Sequence, residues 1–120
     1  MSLKRIFATF VGDRESEEDR EAAIVMHAKI KDNNKIDALM EVFGYVKDWC
    51  EEFQQYKRYP FILNINNEVV FDFGGYAPEG IEIARTNLLN KDIVPNEFFT
   101  YFDESSEEEW VYRIEQVTQI

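Results

Sequence analysis

The stretch YPFILNINNEVVFDFGG, residues 59–75, places the tightest limit on the fold. Two runs rich in apolar and β-branched residues, 61–65 and 68–73, flank the pair Asn66-Asn67. Asparagine tolerates a positive φ, which the central residues of a tight hairpin turn need. The sequence therefore predicts two neighbouring antiparallel strands, the second ending at a pair of glycines.

Alternating apolar residues predict further strands near both ends of the chain. Residues 6–11 place apolar side chains on both faces, which suits a strand that is covered on both sides. In AAIVMHAKI, residues 22–30, every second residue is apolar, which favours a strand, with a helix over 21–31 as the rival interpretation. Residues 97–102 and 110–117 predict two more strands.

Residues 34–56 carry the strongest helical pattern, and Asn33 or Asn34 is a candidate N-cap. Seven apolar residues recur at spacings of three and four and would share one helix face: Ile36, Leu39, Met40, Phe43, Val46, Cys50 and Phe53. A flanking apolar stripe consists of Val42, Tyr45, Trp49 and Tyr56. Because one sheet cannot cover so broad an apolar surface, the stripe would contact another element, a partner or a second copy in a homodimer.

These elements predict an α+β fold in a single domain, residues 1–120. We expect an antiparallel sheet of about five to six strands built from hairpins, with one long amphipathic helix (34–56) packed on one face. The segment PEGIEIARTNLLN predicts a short second helix over 78–90.

Cysteine content and hydropathy point to the cytoplasm. Cys50 is the only cysteine, which excludes an internal disulfide and a Cys-based zinc cage and suits a reducing compartment. The apolar run 6–11 is too short for the core of a signal peptide or for a membrane span. The sequence therefore predicts neither export nor membrane insertion.

The net charge of −11 is concentrated in two segments. Residues 12–21 (GDRESEEDRE) have a net charge of −4 and residues 103–109 have a net charge of −5, so the rest of the chain carries only −2. Binding to phosphate backbones needs clustered Lys and Arg, and the longest basic cluster is Lys57-Arg58. Direct binding to nucleic acid or to an anionic membrane is therefore disfavoured.

The motifs give no positive support for catalysis. His27 is the only histidine, which leaves no His-based metal site, and Cys50 falls among apolar residues, where a thiol is unreactive. The loop GGYAPEG lacks the glycine spacing and the lysine of a phosphate-binding loop. The segment from Asp13 has neither the glycine nor the final glutamate of a calcium loop. We therefore expect no catalytic residue, no cofactor and no metal.

The acidic segments and nearby aromatic residues predict a docking surface for a basic protein. Carboxylates accelerate encounter with a basic partner, and Trp and Tyr supply buried contact area. The predicted partner-binding residues are Asp13, Glu15, Glu17, Glu18, Asp19, Tyr45, Trp49, Tyr56, Asp103, Glu104, Glu107, Glu108, Glu109 and Trp110. By physical type the chain is similar to inhibitors such as immunity proteins, antitoxins and DNA mimics, whose partner is a nuclease or another nucleic-acid-handling enzyme.

Two alternatives stay open from sequence. The acidic segments could serve only to keep hairpin ends soluble and to discourage edge-to-edge aggregation. The protein could also bind a small ligand, or be a small enzyme, with a pocket between the long helix and the sheet lined by Phe43, Phe53 and Tyr76. The docking hypothesis needs both acidic segments to emerge on the same side of the sheet.

Overall fold

The computed structural model of the protein describes residues 2–12, 16, 19–66, 68–78 and 84–120, and within these ranges the chain forms eight strands. The strands are β1 (Ser2–Phe10), β2 (Ala23–Ile30), β3 (Phe43–Cys50), β4 (Gln55–Asn64), β5 (Val70–Asp72), β6 (Ala84–Thr86), β7 (Phe98–Asp103) and β8 (Glu108–Gln119). Each strand pairs antiparallel with the next, and β8 pairs with β1. The sheet therefore closes into an up-and-down barrel.

The predicted α+β fold is wrong, because the chain forms an all-β barrel. Among the described residues, the helical segment is a single 3-10 turn, Leu88–Asn90. The predicted long helix over 34–56 is instead a connection, then β3, a turn over 51–54 and the start of β4. Along the described ranges, no helix has the length and hydropathy needed to cross a membrane.

The helical spacing led to a wrong prediction because the residues assigned to one helix face have very different exposures in the structure. Leu39 is 94% exposed and Phe53 is 55% exposed, whereas Val46 and Cys50 of the same supposed face are buried. Aromatic and β-branched residues favour a pleated sheet surface, where cross-strand partners contact them. Trp49 packs edge-on against Tyr56 of β4, with ring centroids 5.2 Å apart. This contact between register partners helps to hold the β3–β4 hairpin.

Gly44 lets β3 approach β2 closely. A Cβ atom at this position would overlap the carbonyl oxygen of Val25 and crowd the backbone of Met26. Glycine is therefore required by the packing of the two strands rather than by a turn.

The predicted second helix over 78–90 is also wrong where the structure describes it. Residues 84–86 form β6 and pair with β5 and β7, and the 3-10 turn follows. Residues 79–83 of the predicted helix lie outside the described residues.

The predicted strands and the antiparallel pairing of the central hairpin are confirmed, but residues 65–69 connect its strands and Asn66 does not have the positive φ expected of a tight turn. Residues 61–65 and 68–73 overlap β4 and β5, which pair antiparallel. The alternating segment 22–30 is β2 rather than a helix, and it pairs antiparallel with β1. The two predicted C-terminal strands are β7 and β8.

The barrel interior is filled mainly by side chains from alternate positions of the strands. Its largest fully buried apolar side chains are Phe99, Ile6, Ile24, Met26, Leu88, Ile114 and Val46. A barrel of this strand number is just wide enough for side chains to fill it or for one small ligand to enter. Any ligand site within it must therefore lie where side chains leave space.

The connections 31–42, 65–69 and 87–97 lie at one end of the barrel, which we call the closed end. Here Ile36, Leu88 and Ile93 are buried against the core. The Ile93 N–H donates to the carbonyl oxygen of Asn34 at 2.7 Å, and the Lys35 ammonium lies 2.8 Å from the Asp92 carboxylate. Apolar packing and these polar contacts between two long connections close this end.

A candidate binding site at the acidic end

The strand directions bring both acidic segments to the same end of the barrel. In an up-and-down barrel, alternate connections share an end, so 11–22, 51–54, 73–83 and 104–107 lie opposite the closed end. We call this the acidic end. The geometric condition for a shared docking surface is therefore met.

Nearly all of the net charge belongs to the connections of the acidic end. Their net charges are −4, −2, −2 and −2, which account for −10 of the chain's −11. The three connections at the closed end carry −1 each, and the strands together carry +2. The described acids in the acidic-end connections are Asp19, Glu21, Glu51, Glu52, Glu104 and Glu107. Of the −10, described residues carry −5, and the other −5 belongs to residues 13–15, 17–18 and 79–83, which lie outside the described residues.

Basic side chains neutralise part of this charge. Glu21 pairs with Lys47 at 3.1 Å, and Glu104 pairs with Arg85 at 2.8 Å. Glu51 accepts a hydrogen bond from the indole nitrogen of Trp49. These contacts fix some carboxylates on the outer rim, and Glu52, Glu107 and Glu108 remain exposed.

A cavity of about 90 Å³ lies inside the acidic end. Its lining side chains are Phe10, Asp19, Ala22, Asp48, Tyr101, Trp110 and Tyr112. Asp48 comes from β3, whereas Tyr101, Trp110 and Tyr112 come from β7 and β8 on the other side of the barrel. The cavity therefore requires the closed barrel to bring its walls together.

Tyr101 lines this cavity and carries a hydroxyl group that is unsatisfied among the described residues. The side chain is only 4% exposed, and its Oη has no hydrogen-bond partner among the described residues. Burial, reinforced by nearby Tyr112, Asp48 and Asp103, raises the pKa of Tyr101 far above its ordinary value. The hydroxyl therefore stays protonated, and it can both donate and accept a hydrogen bond.

Asp48 is a carboxylate in an unfavourable environment. Burial raises its pKa, and the negative charge of Asp19 raises it further. A hydrogen bond from the Trp49 N–H to Oδ1, 2.9 Å long, acts in the opposite direction without cancelling the effect. The ionised form of Asp48 is thus less favourable than in water, and a cation would stabilise it.

Asp103 is buried but serves the turn that follows it. It is 1% exposed, and its carboxylate accepts hydrogen bonds from the hydroxyl of Ser105 at 2.8 Å and that of Ser106 at 2.6 Å. Burial alone would raise its pKa, but these hydroxyls and the backbone N–H groups of the same two serines lower it below the ordinary value. Asp103 orders the β7–β8 turn, and its buried carboxylate is not accessible to a docking partner.

Two of the predicted partner-binding aromatics lie on the outer wall near the acidic end. Trp49 and Tyr56 pack together there, and the Tyr56 hydroxyl accepts a hydrogen bond from the Glu21 N–H. Tyr45 lies further from this end, beneath the Arg58 guanidinium at 5.0 Å. Tyr45 is therefore separate from the group that the acidic end brings together.

The remaining predicted residues divide by position. Asp19 and Trp110 line the cavity, and Glu104 and Glu107 belong to the turn between β7 and β8. Glu108 and Glu109 begin β8 and are exposed. Asp13, Glu15, Glu17 and Glu18 lie outside the described residues.

The cavity residues that were not identified from the sequence are Phe10, Ala22, Asp48, Tyr101 and Tyr112. One signal was available in β3, where Val46, Asp48 and Cys50 share a face. A carboxylate between two buried apolar residues on one strand face is unusual and indicates a special environment. The prediction of a helix over 34–56 concealed this alternation.

The pocket expected between a helix and the sheet does not form, because the helix is absent. Phe43 is 43%, Phe53 is 55% and Tyr76 is 82% exposed. His27 lies on the outer wall and stacks on Phe43, with ring centroids 5.1 Å apart. Within the described part of the chain, no group of three His, Cys, Asp or Glu side chains is arranged to hold a metal ion.

Comparisons with protein-family models, with curated proteins and with solved structures found no match to this chain.

Proposed function

We propose that the protein is a non-catalytic binding protein whose acidic end docks on a basic protein. The observation that carries this proposal is the concentration of −10 of the −11 net charge in the connections at one end. Loops that served only solubility would have no need of such polarity, since charge spread over both ends keeps a barrel soluble equally well.

The charge distribution favours orientation of the protein before contact. A one-sided negative potential attracts a basic surface and turns the acidic end towards it, which raises the association rate at low salt. Trp49 and Tyr56, which stand beside Glu21 and Glu51, offer aromatic contact area at the edge of this end. Docking would then combine long-range attraction with local burial.

A nucleic-acid-handling enzyme is the class of partner that suits this surface best. Such enzymes present basic grooves that bind phosphates, and an acidic end can occupy such a groove in place of the nucleic acid. We therefore propose an inhibitory role of the immunity, antitoxin or DNA-mimic type. We place it in the cytoplasm, because the single cysteine, Cys50, is buried and forms no disulfide.

The test compares two charge-reversed variants. One carries Glu107→Lys, Glu108→Lys and Glu109→Lys at the acidic end, and the other carries Asp32→Lys, Glu41→Lys and Glu68→Lys at or near the closed end. Both change the net charge equally. Proteins from the source cell are captured on each variant and on the wild type at low and high salt, and association rates are measured with the captured partner.

We expect the acidic-end variant to associate about tenfold more slowly at low salt, with a weaker salt dependence, and the closed-end variant to behave nearly like the wild type. Equal association rates for the two variants would refute docking through the acidic end.

A further inference from the structure

We propose that the cavity at the acidic end is a binding site for one organic cation, an alkylammonium or a guanidinium group. The inference rests on the proposed function for the source of this cation, a Lys or Arg side chain of the partner. Its chemistry rests on the cavity itself, and a free small amine would satisfy the same groups.

The charge of the lining selects a cation. The described lining contains two carboxylates, Asp19 and Asp48, and no basic side chain. Lys57 is the register partner of Asp48, but its ammonium lies over the Phe53 ring, 3.8 Å from the centroid. An anion would face the Asp48 carboxylate, and a neutral apolar group would leave the partly buried Asp48 without a counter-charge.

Aromatic rings form most of the remaining wall. Tyr101 lies 5.7 Å from Trp110 and 6.2 Å from Tyr112, and Tyr112 lies 5.7 Å from Phe10, measured between ring centroids. Ring faces attract ammonium and guanidinium groups, more strongly where water is excluded. Carboxylates beside such rings bind an organic cation through its charge and its carbon atoms together.

The Tyr101 hydroxyl supplies the independent sign of a ligand. A 96% buried polar group without a partner is rare in a folded protein, because the lost hydrogen bond to water is not replaced. An ammonium has three donors and a guanidinium has five, and neither has an acceptor. Either group could donate to the Tyr101 oxygen while it contacts the carboxylate of Asp48.

The cavity volume suits a small organic head group. The cavity measures about 90 Å³, which is several times the ~10–15 Å³ that one water molecule needs. A bare divalent ion would find only two carboxylate side chains, and no group of three potential ligands is arranged for a metal among the residues described. The cavity therefore fits a charged group carried on a few carbon atoms.

The experiment titrates the isolated full chain, labelled with ¹⁵N, with two cations and their neutral counterparts. The pairs are n-butylammonium with n-butanol, and methylguanidinium with methylurea. We expect saturable shifts of the Asp48, Tyr101 and Trp110 amides with a dissociation constant in the millimolar range for at least one cation. The neutral compound of that pair should bind at least about tenfold more weakly.

Three variants locate the site. Asp48→Asn keeps the oxygen that accepts from Trp49 but removes the charge, and it should weaken cation binding by about tenfold or more. Tyr101→Phe should weaken it several-fold. Glu52→Gln removes one exposed charge from the same end and should leave the affinity within about twofold. Amide spectra and thermal unfolding verify that each variant is folded.

No saturable shift with either cation, equal binding of the neutral compounds, or undiminished binding to Asp48→Asn would each overturn the cation site. A further pair of probes, peptides with one central Lys or Arg, separates the two sources of the cation. Tighter binding of a peptide than of its small cation indicates a partner side chain, and no gain indicates a free amine.

The outcomes for the two proposals are distinguishable. If small cations do not bind but the charge-reversed variants still differ in partner association, the cavity proposal fails and the docking proposal stands. If small cations bind and no basic protein does, the docking proposal fails and the cavity is a site for a free amine.

Discussion

The two ends of the barrel are built in opposite ways. At the closed end, two long connections bury Ile36, Leu88 and Ile93, and their polar groups bond to each other. At the acidic end there is a cavity, with a Tyr101 hydroxyl that has no partner among the described residues and an unfavourably placed Asp48. Groups that reduce the stability of a free protein are typical of functional sites, so this difference supports the proposal that the acidic end binds while the closed end stabilises the fold.

The largest expected effect comes from Leu88→Ala at the closed end. Leu88 is fully buried, and its truncation should lower the free energy of unfolding by about 3 kcal/mol through lost burial and a new cavity. Urea denaturation followed by tryptophan fluorescence measures the change. The matched variant Leu39→Ala removes the same atoms from a side chain that is 94% exposed and should cost less than about 0.5 kcal/mol. Similar losses of unfolding free energy for both variants would show that the closed end is not tightly packed.

Asp103→Ala should lower the free energy of unfolding by about 2 kcal/mol, because it removes the acceptor that orders the β7–β8 turn. The folded-state pKa of Asp103 lies below the ordinary value of 3.8. Its ionised form therefore stabilises the fold above that pH, and this contribution is lost as the pH falls through the lower folded-state pKa. The difference between wild type and variant should shrink when urea denaturation is repeated below pH 3.8.

The control for Asp103 is Asp92→Ala at the closed end. Asp92 pairs with Lys35 in a solvent-exposed ion pair, and its loss should cost no more than about 1 kcal/mol. A difference between wild type and Asp103→Ala that grows as the solution becomes more acidic would contradict the assigned role of Asp103.

Unlike the preceding substitutions, Asp48→Asn should stabilise the protein. We expect it to raise the free energy of unfolding by about 1 kcal/mol at neutral pH. The folded-state pKa of Asp48 is raised above 3.8, so its ionisation destabilises the fold. The gain should be largest above the folded-state pKa and should vanish below 3.8. Thermal unfolding at several pH values measures it, with Glu52→Gln as the control for a change of one charge. A loss of stability at neutral pH would mean that Asp48 supports the fold rather than a ligand.

Tyr101→Phe should have the smallest effect, a gain of about 0.5 kcal/mol, because it removes a buried hydroxyl without a hydrogen bond. Thermal unfolding is compared with that of Tyr76→Phe, where the ring is 82% exposed and no change is expected. A loss of 1 kcal/mol or more, about the worth of one hydrogen bond, would indicate that the hydroxyl is bonded in the free protein.

The sequence allowed the hairpins to be predicted but not the closure of the sheet. Turn residues and alternating apolar positions are local signals, and they identified β1, β2, β5, β7, β8 and the second half of β4. Pairing between β1 and β8 has no local signal, because it depends on twist and register accumulated around the whole sheet. The closed barrel therefore could not be predicted from the sequence, even though most of its strands were identified.

β3 was missed for a specific reason. Its inward positions are Gly44, Val46, Asp48 and Cys50, so two of the four are not conventional core residues. Gly44 is required by the close approach of β2, and Asp48 lines the cavity. Close packing at Gly44 and the cavity at Asp48 together removed the alternation that would have marked a strand, so the helical spacing decided the prediction.

The acidic charge of the candidate site could be predicted from the sequence, but the residues that line its cavity could not. Two acidic segments were visible in the sequence, whereas their common position follows from strand direction. The grouping of Asp48 with Tyr101 and Trp110 joins residues that are more than 50 positions apart. Such a cluster is a property of the closed barrel.

Closure also determines when the barrel can be completed during synthesis. β1 must wait for β8, and Thr9 donates to Glu115 across 106 positions of the chain. Trp110 and Tyr112, which complete the cavity, belong to this last strand. A ribosome-bound chain that has not yet released β8 therefore has neither a closed sheet nor a finished cavity, and non-local pairing of this kind forms late. The barrel and its cavity are therefore complete only after β8 emerges, and the docking proposal predicts that a copy without β8 does not bind.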